Sequence, residues 1–394
     1  MTAAGALASA PVRESTPTVR SLGRYFLWLG TVGFGGPVVL VERMRCDLEE
    51  TRHWYSPAEY KEGLALAQLA PGPLAAQLAI YLGWVRGGLL GATVVGLAFI
   101  GPSFVMVLAL SAVYVQFGGL QWMQGAFYGV GAAVIAIIAH SAFKLVRNTV
   151  GADRLLWTIV AGNAVLTAWT EREVVWMILA SGVFVLGWRE RLFTGSRAAR
   201  AIVVPSCLVT GLHGAAATST FVTLTGYFAK AGALVFGSGL AIVPFLHGGV
   251  VQQMHWLNER QFLDAVAVSM ITPGPVVITV AFIGYLVAGP LGACAAAIGV
   301  FLPVYIFVVL SARHFHRIAQ NRPLRAMIDG VTAAATGAIA GAVVVLGHRA
   351  LTDVATWMIF AAALMLIVRA RRVTEPLLLL AAGIIGILLR GVGT

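Results

Sequence analysis

The sequence predicts an all-α, polytopic membrane protein, because of its composition, its long apolar segments and an internal repeat. Hydrophobic residues make up 59% of the 394-residue chain and charged residues only 11%. Soluble domains are about 45–50% apolar and about 25% charged. The apolar stretches have helical length and lack the roughly ten-residue alternation of a membrane β-barrel. This composition excludes an ordinary soluble enzyme and a disordered chain alike.

Thirteen apolar segments are predicted to be transmembrane helices. In chain order they cover residues 22–42, 57–85, 88–115, 122–146, 155–170, 173–188, 201–217, 230–250, 258–286, 290–312, 325–347, 352–368 and 376–390. A cytoplasmic N-terminus places most Lys and Arg residues in cytoplasmic loops, as the positive-inside rule expects, and leaves the C-terminus outside. In this arrangement the basic segment 42–62 lies on the far side. A re-entrant hairpin at 22–42 would return it to the cytoplasmic side, and that alternative stays open.

Because the basic residues lie mostly in loops, we expect the chain, with its net charge of +11, to interact with the lipid bilayer and not with nucleic acid. The cysteines Cys46, Cys207 and Cys294 are far apart and predict neither a metal site nor a disulfide framework. No cofactor is expected. Residues 1–21 lack the apolar core of a signal peptide and are predicted to be a cytoplasmic tail.

An internal repeat is the strongest signal in the chain. An offset of 202 residues gives an ungapped match from Tyr25 to Gly83. The matched pairs include His53-Trp54 with His255-Trp256, and Pro71-Gly72-Pro73 with Pro273-Gly274-Pro275. We predict a first repeat at 22–190, a connector at 191–224 that holds an extra helix near 201–217, and a second repeat at 225–394. The extra helix makes the repeats inverted, an architecture common among secondary transporters.

The paired Pro-Gly-Pro motifs predict interrupted helices. Ser56-Pro57-Ala58-Glu59 is a capping-box start, and a helix from there should unwind at Ala70–Pro73 and restart near Leu74. The second copy should unwind at Thr272–Pro275 and restart near Val276. Free amides and the positive dipole end at each restart would form an anion site, although a plain proline kink is the simpler alternative.

Glycine pairs and neutral polar side chains complete the predicted substrate site. Gly35, Gly36 and Pro37 match Gly237, Ser238 and Gly239, and these segments either expose amides to the site or allow close helix packing. The full set of candidate substrate-binding residues is Gly35, Gly36, Pro37, Gln68, Pro71, Gly72, Pro73, Gln77, Gly237, Ser238, Gly239, Thr272, Pro273, Gly274, Pro275 and Thr279.

Three charged residues are candidates for other roles. Glu62 and Asp264 correspond in the repeat and either relay protons or stabilise the start of a helix. Arg86 either attracts anions at the cytoplasmic mouth or anchors its helix by the positive-inside rule.

The motifs Gly33-Phe34-Gly35-Gly36-Pro37, His53-Trp54 and Leu66 to Tyr81 closely resemble those of the chromate ion transporter family, and the second half resembles that family's second domain. The resemblance extends from about residue 22 to the end. It implies a bacterial inner-membrane protein that exports chromate and confers chromate resistance, with halves of opposite orientation. A homodimer is a further expectation.

We expect transport by alternating access, with the chromate dianion held between the two interrupted helices. No Walker motif occurs, so the membrane potential or a coupled ion should supply the energy. The alternatives are transport of sulfate or another small oxyanion, an anion channel, and a membrane-embedded reductase, for which the sequence offers no cofactor ligands.

Overall fold

The computed structural model describes residues 17–34, 36–117, 120–151, 153–170, 175–189, 218–234, 242–313, 322–369 and 374–391. The regular elements in these ranges are helical, as predicted. The helices are α1 (Val19–Val32), α2 (Gly36–Met44), α3 (Pro57–Leu69), α4 (Leu74–Phe117), α5 (Gln121–Val150), α6 (Arg154–Thr170), α7 (Val175–Arg189), α8 (Thr218–Leu234), α9 (Ile242–His247), α10 (Glu259–Ile271), α11 (Thr279–Ala312), α12 (Arg322–Ala350), α13 (Val354–Arg369) and α14 (Glu375–Gly391). The predicted helix near 201–217 lies outside the described residues.

Helices α1–α7 and α8–α14 repeat the same order of elements. A π-helical turn follows α2 at Arg45–Thr51 and follows α9 at Gly248–Gln253. His53 and His255 both have a positive φ, of 50° and 51°, which is rare for a residue other than glycine. The predicted correspondence of the two halves therefore extends to unusual backbone geometry.

Helices α1 and α2 form an antiparallel hairpin, in which α1 ends at Val32 and α2 begins at Gly36. The Tyr25 hydroxyl donates to Asp47 over 3.0 Å, and the Arg43 guanidinium lies 4.6 Å from the centre of the Trp28 ring. Residues after α2 thus return to the level of early α1. The prediction of one span over 22–42 is wrong, and the hairpin alternative is the one that the structure shows.

A second antiparallel hairpin consists of α3 and the first part of α4, with Pro71-Gly72-Pro73 at its tip. The Tyr55 hydroxyl donates to the carbonyl of Leu82 over 2.7 Å, so the start of α3 lies beside residues at the far end of the hairpin. The predicted single span at 57–85 is therefore two helices folded back on each other, and the repeat makes the same correction at 258–286. The helix predicted over 230–250 is likewise divided between α8 and α9.

Small residues allow these reversals. Helix α4 turns back at Gly87 and Gly88, whose φ values are −137° and 55°. A Cβ on Gly83 would lie 2.4 Å from the carbonyl oxygen of Gly91, so the two arms of α4 pack backbone to backbone. Gly284 and Gly292 make the same contact in α11. In the structure Gly83 therefore corresponds to Gly284, an offset of 201 residues. The ungapped match at an offset of 202 does not extend as far as Gly83.

Beyond these reversals, the second arms of α4 and α11 occupy equivalent places and run antiparallel. Thr93 hydrogen-bonds Tyr305 over 2.7 Å at one end of the α4 arm. At its other end the Tyr114 ring is 5.2 Å from that of Phe282, on the first arm of α11, which packs back on the second arm through Gly284 and Gly292. Four segments among the described residues are long and apolar enough to cross a membrane: Leu74–Phe117, Trp122–Arg147, Val276–Ala312 and Ala326–Ala350.

The two repeats exchange their last helices. Helices α6 and α7 pack on α12 of the second repeat, whereas α13 and α14 pack on α5 of the first. Glycines mediate these contacts, since a Cβ on Gly129 would lie 1.9 Å from the Ala382 carbonyl and one on Gly337 would lie 2.4 Å from the Val160 carbonyl. The segment Ala132–Ile138 of α5 is accordingly buried from end to end.

Candidate functional site

The tips of the helical hairpins define the candidate site. Ser56 and Glu59 form the predicted capping box at the start of α3, and Asn258 and Gln261 form the one at the start of α10. The first Pro-Gly-Pro lies between the end of α3 and the start of α4 at Leu74, so the predicted interruption at 70–73 is confirmed.

The two Pro-Gly-Pro turns differ in how the chain continues. Gly72 and Gly274 both have positive φ, of 134° and 103°. After Pro275 the chain makes a 3₁₀ turn at Val276–Ile278 before α11 begins, whereas α4 starts directly as an α-helix. The predicted restart near Val276 is thus a 3₁₀ turn, a tighter form that is common at helix ends.

Each Pro-Gly-Pro turn packs against the long helix of the other repeat. The Gly274 amide donates to the carbonyl of Gly33 at the tip of the α1–α2 hairpin over 2.9 Å. A Cβ on Gly274 would lie 2.2 Å from the Ser103 Oγ on α4. On the other side, a Cβ on Gly72 would lie 2.9 Å from both methyl carbons of Val304 on α11. The tip of the α1–α2 hairpin therefore meets the second Pro-Gly-Pro turn beside α4, and the first Pro-Gly-Pro turn packs separately against α11.

Glycine at the tip of the first hairpin lies next to a carboxylate. Gly36 has a φ of 64°, and a Cβ built on it would lie 3.7 Å from Oε1 of Glu375, the first residue of α14. Pro37 follows in the first turn of α2 and is partly buried. Gly35, Gly237, Ser238 and Gly239, which the sequence also nominates, lie outside the described residues.

The neutral polar candidates are distributed over the two turns. Gln77 is fully buried and donates its Nε2 to the Pro71 carbonyl over 2.6 Å. Thr279, its counterpart, is also fully buried and donates to Ser269 Oγ over 2.6 Å. Thr272 donates to the Ser269 carbonyl, while Gln68 on α3 is exposed. Gln77 and Thr279 thus each hydrogen-bond within the hairpin of their own repeat.

Three residues near the tips were missed by the sequence reasoning: Ser103, Ser269 and Glu375. Ser269 corresponds to Ala67 in the first repeat, so the search for matched polar pairs passed over it. Ser103 follows Pro102, which aligns with Pro303. Glu375 begins an apolar helix, and a partly buried carboxylate in such a place is a functional signal in membrane proteins.

Arg86 stabilises the base of the α3–α4 hairpin. Its guanidinium donates to both oxygens of Glu59 and to the carbonyl of Trp54, with the closest contact at 2.7 Å. It also lies over the Tyr55 ring at 4.6 Å. These contacts place Arg86 in the hairpin itself, and its role as an entry charge stays a prediction.

The two matched carboxylates have different surroundings. Asp264 is 3% exposed and accepts from the Tyr114 hydroxyl on α4 over 2.7 Å. Glu62 is partly buried and accepts from Tyr81 of its own hairpin. Both lie eight residues before the end-capping residue of their helices, about 12 Å from the tips. The contact of Asp264 with Tyr114 joins the two repeats.

A model of the chromate transporter family matches residues 20–188 and 222–387. The chain belongs to the chromate transporter family. A chromate transport protein of Cupriavidus metallidurans is 54% identical over 98% of this chain and 96% of its own length. A probable chromate transport protein of Synechococcus elongatus is 52% identical over 94% and 95%.

A more distant family member is the chromate transport protein of Pseudomonas aeruginosa, which is 32% identical over 92% of this chain and 90% of its own length. No solved structure matches the chain. Membership in the family agrees with the resemblance found in the sequence, and both halves of the chain carry it separately.

Proposed function

We propose that this family member is a secondary transporter that exports chromate across the bacterial inner membrane by alternating access and so confers chromate resistance. Two relatives that match this chain over nearly their whole length are named as a chromate transport protein and a probable chromate transport protein. The observation that carries the proposal is the crossing of the hairpin tips, where the Gly274 amide of one repeat meets the Gly33 carbonyl of the other. Interrupted helices in matching places of two repeats are typical of substrate sites near the membrane midplane.

The repeats are proposed to be inverted in the membrane. Equivalent helices α4 and α11 run antiparallel, and both ends of each hairpin lie at the same end of these helices. Helix α1 has 14 residues, about 21 Å of helix, which is less than the roughly 30 Å of the hydrocarbon core. The hairpins are therefore re-entrant. Those of the first repeat enter from one side, those of the second enter from the other, and the α1–α2 tip meets the second Pro-Gly-Pro turn within the bilayer.

The basic residues support a cytoplasmic N-terminus. Within the described ranges, the end of the molecule that holds the start of α1 carries Arg20, Arg24, Arg43, Arg45, Arg52, Lys61, Arg86, Lys144, Arg147, Arg154, Arg189, Arg313, Arg322, Arg325 and Arg369. The opposite end carries Arg260, Arg349 and Arg390, and Lys230 lies four residues before the end of α8. The hairpin geometry brings the segment 42–62 to the basic side, which strengthens the asymmetry that the positive-inside rule requires.

The binding chemistry of the tips suits a small oxyanion. The first amides of a helix have no acceptor within it, and the helix dipole is positive at that end. Pro73 precedes Leu74 and has no side-chain oxygen with which to cap these amides. Amides and neutral side chains hold an anion without the strong attraction of a buried cation, so the ion can leave again.

Different clamps at the two ends of the molecule support alternating access. On the basic side, Glu59 and Arg86 pair within one hairpin. At the opposite end, Glu259 at the start of α10 pairs with Arg349 of α12 and lies 2.5 Å from the Nε2 of His247. We propose that the second contact breaks when the hairpins of the second repeat move away from α12 to open the outer side.

Asp264 is the proposed proton carrier, if export is coupled to protons. The polar groups described around it are the Tyr114 hydroxyl from α4 and Arg260 from its own helix, and the Tyr114 ring packs against Phe127 of α5 and Phe282 of α11. A carboxylate inside the membrane that faces another helix is typical of proton pathways in transporters.

Cysteine labelling tests the re-entrant topology. In a variant without Cys46, Cys207 and Cys294, we expect a membrane-impermeant maleimide to label Thr51→Cys in everted vesicles but not in intact cells. Thr352→Cys, at the opposite end before α13, should show the reverse. Both positions are exposed. Labelling of Thr51→Cys in intact cells would restore a single span over 22–42.

Chromate uptake by everted vesicles tests the function, because export from the cell becomes uptake there. We expect saturable uptake, at least tenfold weaker in Pro71→Ala and Pro273→Ala, since each proline holds a tip in its turned form. Competing sulfate distinguishes a general oxyanion carrier. Flux that does not saturate would indicate a channel, and full activity in both variants would remove the tips from the site.

A further inference from the structure

The carboxamide of Gln77 is an unusual feature of the first Pro-Gly-Pro turn. The side chain is fully buried in the first turns of α4, and its Nε2 donates to the Pro71 carbonyl over 2.6 Å. Its Oε1 is buried too and has no hydrogen-bond partner among the residues that the structure describes. Buried polar atoms are normally paired, so this acceptor needs an explanation.

Chemistry fixes which end of the carboxamide is left over. The Pro71 carbonyl can only accept, so the amide nitrogen must face it, because the opposite orientation would place two oxygens together. The unpaired atom is therefore an acceptor. A ligand that satisfies it must bring a hydrogen-bond donor.

The matching turn of the second repeat has no such acceptor. Thr279 donates its hydroxyl to Ser269 Oγ and lies within reach of the Val276 carbonyl, and the 3₁₀ turn uses the amides of Ile278 and Thr279 for its own carbonyls. Among its described residues, the second turn thus has no buried side-chain oxygen without a hydrogen-bond partner. The first turn retains both unpaired features, the starting amides of α4 and the Gln77 oxygen, and we assign the main ligand contacts to it.

Donors and a single acceptor at one turn select a particular ionisation state. We propose that the first Pro-Gly-Pro turn binds a tetrahedral oxyanion in its monoprotonated form, with the amides that start α4 on its unprotonated oxygens and Gln77 Oε1 accepting from its hydroxyl. This inference rests on the proposed function. Near neutral pH chromate is partly protonated and sulfate is not, so the acceptor favours hydrogen chromate and opposes sulfate, whose oxygens offer it no donor.

Equilibrium binding to the purified full-length protein tests the inference. Chromate is titrated one pH unit below and one above its own second ionisation, and sulfate is titrated at the same two pH values. We expect chromate affinity to fall about tenfold at the higher pH, in proportion to the protonated fraction. The affinity for sulfate should be weaker and the same at both values. A similar fall in sulfate affinity at the higher pH would mean that a group of the protein, and not the ligand, carries the proton. That result would overturn the inference.

A variant removes the acceptor from the turn. Gln77→Met keeps the size of the side chain, and since it also loses the Pro71 bond, the decisive quantity is the ratio of chromate to sulfate affinity. We expect this ratio to fall at least tenfold, because a site built to pair with a hydroxyl discriminates strongly against a ligand that lacks one. Thr336→Val, a buried position on α12 whose hydroxyl bonds its own helix, should leave the ratio unchanged.

The two proposals fail in different ways. Wild-type protein that binds chromate equally at both pH values, or sulfate as well as chromate, contradicts the protonated ligand and leaves chromate transport in place. Wild-type protein that neither binds nor moves chromate contradicts the function itself. The wild-type titrations decide the inference even when Gln77→Met does not fold.

Discussion

Replacing Gly274 with alanine should abolish chromate uptake by everted vesicles. The residue has a φ of 103°, which side chains rarely adopt, and its amide joins the two repeats through the Gly33 carbonyl. A Cβ there would lie 2.2 Å from Ser103 Oγ. We expect about 1–3 kcal/mol from backbone strain and about as much from overpacking, enough to displace the tip. Uptake should fall at least a hundredfold.

Two control glycines separate backbone strain from crowding as the cause of that loss. Gly289 has a φ of 65° but open space around it, so Gly289→Ala introduces backbone strain without crowding. Gly101 has neither problem, and Gly101→Ala should be close to neutral. Thermal unfolding in detergent reports whether Gly274→Ala is simply unfolded. Wild-type uptake by a folded Gly274→Ala protein would show that the crossing of the tips does not matter for transport.

Asp264→Asn should remove the response of transport to a pH gradient. The substitution keeps the shape and the capacity to hydrogen-bond Tyr114, but the side chain can no longer bind and release a proton. If Asp264 carries the proton, uptake driven by a pH gradient should fall at least tenfold, while uptake driven by the membrane potential alone is less affected. Uptake is measured in everted vesicles with each gradient imposed separately.

Glu62→Gln is the natural control for Asp264→Asn. Glu62 has the same place in the other repeat, but it is partly buried and bonds within its own hairpin. Its replacement should leave the response to the pH gradient intact. An unchanged response in Asp264→Asn would exclude this carboxylate from coupling, and equal losses in both variants would indicate a structural role for the pair.

Local signals in the sequence predicted the hairpin ends well, but not the direction of the chain between them. The capping box at Ser56 and the interruption before Leu74 follow from side chains that act on their own backbone. Reversal depends on tertiary packing, since a proline interruption is compatible with both a kinked span and a hairpin. The length of segment 57–85 fits one crossing of a bilayer, and this favoured the wrong choice.

Two sequence features carried information about the reversals. Gly63 and Gly83 lie on the faces where the hairpin arms touch, and a Cβ on Gly63 would lie 2.4 Å from the Tyr81 ring. The basic segment 42–62 also conflicted with its predicted side. For the site, pairing by the repeat found Gln77 and Thr279. It could not find Glu375, whose approach to Gly36 depends on the exchange of helices between the halves.

That exchange determines when the protein can finish folding. Helix α5 is synthesised in the first half, yet α13 and α14, which cover it, emerge from the ribosome more than two hundred residues later. Contacts so distant in sequence form slowly. We expect lipid to cover the apolar surface of Ala132–Ile138, which is buried in the folded chain, until those helices arrive. Final assembly is then expected to be a step that follows translation.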